Sequence, residues 1–129
     1  MSTPVHRRHP AKRDALKYAK QLEMYTIKKS FNEKHFSKKK YRRSLKGEIV
    51  KHTRDCYSFL VKADACSVLD TELAKHYLTE ATLSVAALAA QLDTANALYA
   101  TSIPNIGYWA DQIELVKEGI DRWMKLLEK

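Results

Sequence analysis

Apolar residues recur along this chain at the three-and-four spacing of a helix stripe in four separate stretches. The clearest is the last. Ile106, Trp109, Ile113, Val116, Ile120, Trp123 and Leu127 alternate steps of three and four without a break, a seam of the coiled-coil kind. A first helix is expected from about Ala11 to Ser30, with Ala15, Leu16, Ala19, Leu22 and Tyr25 inward. A second is expected over Ser37 to Ala65, with Ser37 as N-cap and Tyr41, Leu45, Ile49, His52, Cys56, Phe59 and Ala63 inward. A third begins near Ser67 or Asp70 and runs to about Tyr99, with Leu69, Leu73, Tyr77, Ser84, Leu88 and Gln91 on one stripe. Turns are expected at Phe31–Phe36, where the two phenylalanines plug the bundle end and Asn32 ends the helix, at Asp64–Ser67, and at Thr101–Asn105. Ser102 can cap the fourth helix and Pro104 suits its first turn.

The pattern predicts an all-α chain: an antiparallel four-helix bundle over residues 11–129, with residues 1–10 a flexible basic arm. The third helix departs from a simple amphipathic pattern. Leu83 to Ala90 is apolar or small all round, and such a helix is covered on more than one side. Leu83, Val85, Ala86, Ala89 and Ala90 are therefore expected to meet a second copy, making a homo-oligomer.

The outward positions carry a second pattern. In the first helix Arg13, Lys17, Lys20, Met24 and Lys28 form a basic line with one apolar interruption. In the second, Lys39, Arg43, Lys46, Val50 and Arg54 repeat it. Arg7 and Arg8 in the arm, Lys38, Lys40 and Arg42 at the second helix start, and Lys51 add to the positive surface. Residues 1–62 hold 18 Lys/Arg against 5 Asp/Glu, and residues 63–129 hold 5 against 10. A net charge of +8 thus hides a basic first half and an acidic second. Ordered basic lines suggest phosphate contacts, and RNA or DNA is favoured over a solvated surface as the reason for them. The fourth helix faces outward with Asp111, Glu114, Glu118 and Asp121, which suit a basic neighbour.

Candidate chemistry is sparse. Three glycines and three prolines leave little loop for a catalytic site. HExxH, GxSxG, P-loop and dinucleotide fingerprints are absent, the five histidines include no metal-binding pair at i, i+4, and no cofactor is expected. Cys56 and Cys66 are ten residues apart along one helix, too far for a bridge within it. His52 reads as a core or interface residue, and Gly47 inside the second helix suggests a close approach by a neighbour. No apolar stretch reaches the roughly 18 residues of a membrane span. The expectation is a cytoplasmic binding protein without chemistry of its own.

Two segments carry a family likeness. The second helix is entered through Asn32-Glu33-Lys34-His35-Phe36-Ser37, and the chain nears its end with Gly119-Ile120-Asp121-Arg122-Trp123-Met124. With four helices of this length, these resemble the accessory variability determinant (Avd) proteins of diversity-generating retroelements over about residues 12–128. That family shares its four-helix bundle with the ribosomal RNA intervening-sequence proteins. In that other branch a Ser-Ile-Pro-type segment follows the start of the second helix. Here Ser102-Ile103-Pro104-Asn105-Ile106 stands before the fourth, which favours the retroelement branch. The resemblance implies a homopentameric barrel that binds a reverse transcriptase and its template RNA or an RNA–DNA hybrid in support of mutagenic cDNA synthesis. A helical protein adaptor, or an intervening-sequence-type bundle with no polymerase partner, is the alternative.

Overall fold

A computed structural model of the chain describes residues 9–30, 39–98 and 106–128, with side chains described from 46 onward in the second helix and up to 97 in the third. Four helices follow in order: α1 (Pro10–Ser30), α2 (Lys39–Cys66), α3 (Thr71–Leu98) and α4 (Ile106–Leu127). There is no strand among the described residues. Each helix packs on the next, and α4 returns to α1. The directions alternate. Lys12 at the start of α1 meets Ser67 just past the end of α2, whereas Thr26 near the end of α1 meets Trp109 at the start of α4.

α4 buries Trp109, Ile113, Val116, Ile120 and Trp123, the central part of the seam its sequence predicts, while Ile106 and Leu127 at its two ends are half-buried. α1 buries Ala15, Leu16, Ala19 and Leu22 as expected, but Tyr25 is only half-buried and Thr26 takes the core position. α2 turns slightly from its expected stripe. Its seam runs Ile49, Thr53, Cys56, Leu60 and Ala63, and His52 and Phe59 flank it half-buried. Thr53 tolerates the core because its hydroxyl donates to the Val50 carbonyl oxygen at 2.7 Å.

α3 is the largest correction. Ala74, Leu78, Ala81, Val85, Leu88, Leu92 and Ala95 form its buried seam, one position beyond the expected Leu73. Leu69 is 87% exposed and lies outside the helix. Alanines at core positions let α2 and α4 come close, and their small side chains hide the seam from a reading that follows leucine. The turn before α3 also falls later than Asp64–Ser67. α2 continues through Cys66, and Leu69 and Asp70 donate their N–H groups to the Cys66 carbonyl at 3.0 and 2.8 Å. Asp70 then caps α3, its Oδ1 accepting the Leu73 N–H at 3.0 Å.

A close helix approach exists, but not at Gly47, which has no neighbour within 4 Å of where a Cβ would sit. It lies at Gly119 in α4. A Cβ there would stand 2.9 Å from the Ala15 Cα and 3.2 Å from its backbone nitrogen. Gly119 therefore sets how near α1 and α4 lie. Phe31, Asn32, His35, Phe36, Ser37, Ser102 and Pro104 fall outside the described residues.

Candidate nucleic-acid interface

The basic line of α1 is fully outward. Arg13, Lys17, Lys20, Met24 and Lys28 are all exposed, over a length of roughly 22 Å at about 1.5 Å per residue. In α2, Arg54 is exposed, Val50 is half-buried and Lys46 is half-buried and engaged by a neighbour. Lys39, Lys40, Arg42 and Arg43 belong to α2, but their side chains, like Arg7, Arg8 and Lys38, lie outside the described residues.

The antiparallel pairing brings the two lines side by side. Lys20 Nζ lies 4.8 Å from the centre of the Tyr57 ring, so the outer edge of α1 rests on the flank of α2 that carries Arg54 one turn earlier. Equal helical rises from that contact carry Met24 and Lys28 to the level of Val50 to Arg54. α1 and α2 thus present one basic surface.

The charges on this surface differ in availability. Lys20 donates to Glu23 Oε1 at 2.9 Å, and that bond and the carboxylate charge raise its pKa. Lys51 donates to Asp55 Oδ2 at 3.1 Å. Arg13 has Asp14 at 3.9 Å. Among the described residues, no carboxylate pairs with Lys17, Lys28 or Arg54. Of the described charges on the two basic lines, these three are the most open to a phosphate. Glu48 stands 3.6 Å from His52.

Several lysine–aromatic contacts escape the basic pattern. Lys62 lies 5.4 Å from the Phe59 ring centre and 5.9 Å from that of Tyr77. Lys29 covers Tyr25 at 5.4 Å, and Lys17 stands 5.9 Å from Tyr18. The signal available in the sequence was tyrosine interleaved with lysine at 17–18, 25–29 and 57–62. Lys12 is of another kind. It donates to Ser67 Oγ at 2.9 Å, lies 3.9 Å from the buried Asp64 and covers Trp123 at 5.7 Å. It ties three elements together and is not part of the surface.

The residues expected between copies divide. Leu83 is 58% exposed, Ala86 and Ala90 are exposed, and Ala89 is half-buried. Val85 is fully buried in the chain's own core and is removed from that surface. On α4, Asp111, Glu114, Glu118 and Asp121 are all exposed, with Lys117 and Lys125 pairing with Glu114 and Asp121 at 3.3 and 3.0 Å.

Among the described residues no group of three His, Cys, Asp or Glu is placed to hold a metal, and no helix is long and apolar enough to cross a membrane. Burial pushes the Cys56 thiol up to about 12. Searches of family models, curated proteins and solved structures return no match to this chain.

Proposed function

We propose that the chain is a nucleic-acid-binding accessory protein that acts as an oligomer and performs no chemistry. The observation that carries this reading is the meeting of the α1 and α2 basic lines at Lys20 and Tyr57, with Lys17, Lys28 and Arg54 exposed along them. A surface of that length suits a polyanion that follows it, and phosphate attraction needs no fixed pocket. The resemblance to Avd proteins supplies the finer reading. The partner is then a retroelement reverse transcriptase with its template RNA or an RNA–DNA hybrid, and the protein supports mutagenic cDNA synthesis. The outer face of α3 supports self-association, because no charged residue occurs from Ala81 to Leu92 and Leu83 is exposed there.

A second reading is a helical adaptor for another protein. Val68 and Leu69, 82% and 87% exposed at the α2–α3 turn, favour it. One titration separates the two. Binding to structured RNA is measured as salt is raised, for the natural chain and for K17E/K28E/R54E. The reading expects affinity to fall steeply with salt, and the triple reversal to weaken binding and flatten the salt slope by roughly 3 units or less, about 1 per phosphate contact. Binding indifferent to both salt and reversal would leave the adaptor.

A further inference from the structure

Tyr108 is half exposed, at 53%, in the first turn of α4. An exposed tyrosine alone means little, but this one is held. Its ring meets the edge of Tyr25 with centroids 5.0 Å apart and planes at 62°. Tyr25 in turn meets Trp109 edge to face at 5.7 Å and 83°. Trp109 is fixed from below, its indole Nε1 donating to the buried Thr26 Oγ1 at 3.0 Å. Two rings and a hydrogen bond therefore hold Tyr108 from the core outward. A ring held this way loses little freedom when something flat is laid on it.

The Tyr25 ring that holds Tyr108 has cationic neighbours. Lys29 Nζ stands 5.4 Å from the Tyr25 ring centre, and Lys28, the last exposed charge of the α1 line, is one turn beyond Tyr25 on the same helix. The basic line thus ends beside a fixed, half-open aromatic ring. Phosphate-binding cations leading to a stacking ring are the two parts of a single-strand site. A duplex supplies only the phosphates, since its base faces are already stacked on one another.

We propose that Tyr108 is a stacking platform for an unpaired base, and that the single strand carrying that base runs its phosphates along Lys28 and Lys17 of α1. This inference rests on the nucleic-acid reading above and narrows it to single-stranded RNA or DNA. Every base has a π-face that an exposed aromatic ring can stack on, so the site selects strandedness and not sequence.

The test uses the full chain and three labelled probes of equal length: an oligouridylate, an oligothymidylate and a duplex. Fluorescence anisotropy gives the affinities at fixed salt. Tyr108→Ala is expected to weaken both single strands roughly 5- to 150-fold and to leave the duplex unchanged. Tyr108→Phe is expected to bind as the natural chain does, and Tyr108→Trp to bind tighter with its indole fluorescence quenched by the strand. Equal loss in Tyr108→Ala and Tyr108→Phe, or no loss in either, overturns the stacking site. The arms with uridylate and thymidylate show whether the sugar contributes. Lys28→Glu is expected to weaken all three probes. A natural chain that binds none of the probes, or ignores Lys28→Glu, overturns the nucleic-acid reading itself. A chain that binds all three and ignores Tyr108→Ala overturns only the stacking site.

Discussion

Gly119 and Gly47 offer the same substitution in two opposite settings. Both lie inside helices, so Gly→Ala gains about 1 kcal/mol of helix propensity at either one. At Gly47 nothing lies within 4 Å of the new methyl, and that gain is the whole effect. At Gly119 the methyl would stand 2.9 Å from Ala15 Cα, 3.2 Å from its nitrogen and 3.3 Å from its Cβ. The first two are backbone atoms of α1 and cannot rotate aside, so α1 and α4 must separate. Overpacking of this kind costs about 1–3 kcal/mol. Gly47→Ala is therefore expected to stabilise by about 1 kcal/mol, and Gly119→Ala to destabilise by up to about 2 kcal/mol. The propensity gain cancels in the comparison, and the difference between the two variants measures the clash. Urea unfolding followed by helical circular dichroism gives both values. Ala15→Gly added to Gly119→Ala should recover only part of the loss, because it removes the contact at 3.3 Å and leaves the one at 2.9 Å. Equal stabilisation by both alanines would refute the close approach and the packing argument built on it.

Thr26→Val keeps the shape of the side chain but leaves the buried Trp109 Nε1 without its acceptor, and is expected to cost about 1–3 kcal/mol, with Thr26→Ser largely sparing it. Urea midpoints of the two variants check this. Cys56 gives a pH dependence. Its thiol is raised by burial from 9.0 to about 12, so the folded chain holds that proton longer than the unfolded chain. The contribution is fully present below pH 9 and is lost as pH rises from there toward 12. Relative to Cys56→Ala, the natural chain should lose about 1.4 kcal/mol per pH unit in that window, and parallel stability curves would show the thiol is not protected. The salt titration with K17E/K28E/R54E and the Tyr108 series complete the set.

The sequence was most legible where core and size coincide. In α4 every seam position from Trp109 to Trp123 is large, so spacing alone identified the buried face. In α3 the core positions include Ala74, Ala81 and Ala95, while Leu73 and Leu83 are exposed. Hydrophobicity there points away from the core, because close helix approach selects small side chains over apolar bulk. Thr26 and Thr53 were missed for a related reason: each satisfies its hydroxyl locally or through one partner, which no pattern of apolar letters records. The α1 basic line was read correctly as outward. Its meeting with α2 was not readable, since it depends on the register fixed by Lys12 with Ser67 and Lys20 with Tyr57. Tyr108 gave no periodic signal at all, and its interest comes from rings distant in sequence.

The Ala15–Gly119 contact joins α1 to α4 across most of the chain, whereas α2 and α3 are joined by the short turn that Asp70 caps. The two halves of the bundle therefore assemble at different entropic cost. The α2–α3 hairpin closes a loop of a few residues, but α4 must find α1 after nearly the whole chain has been placed. Closure at Gly119 is therefore expected late in folding and early in opening. Amide exchange should report α1 and α4 loosening together while α2 and α3 still hold. The basic line on α1 lies on the half expected to open first.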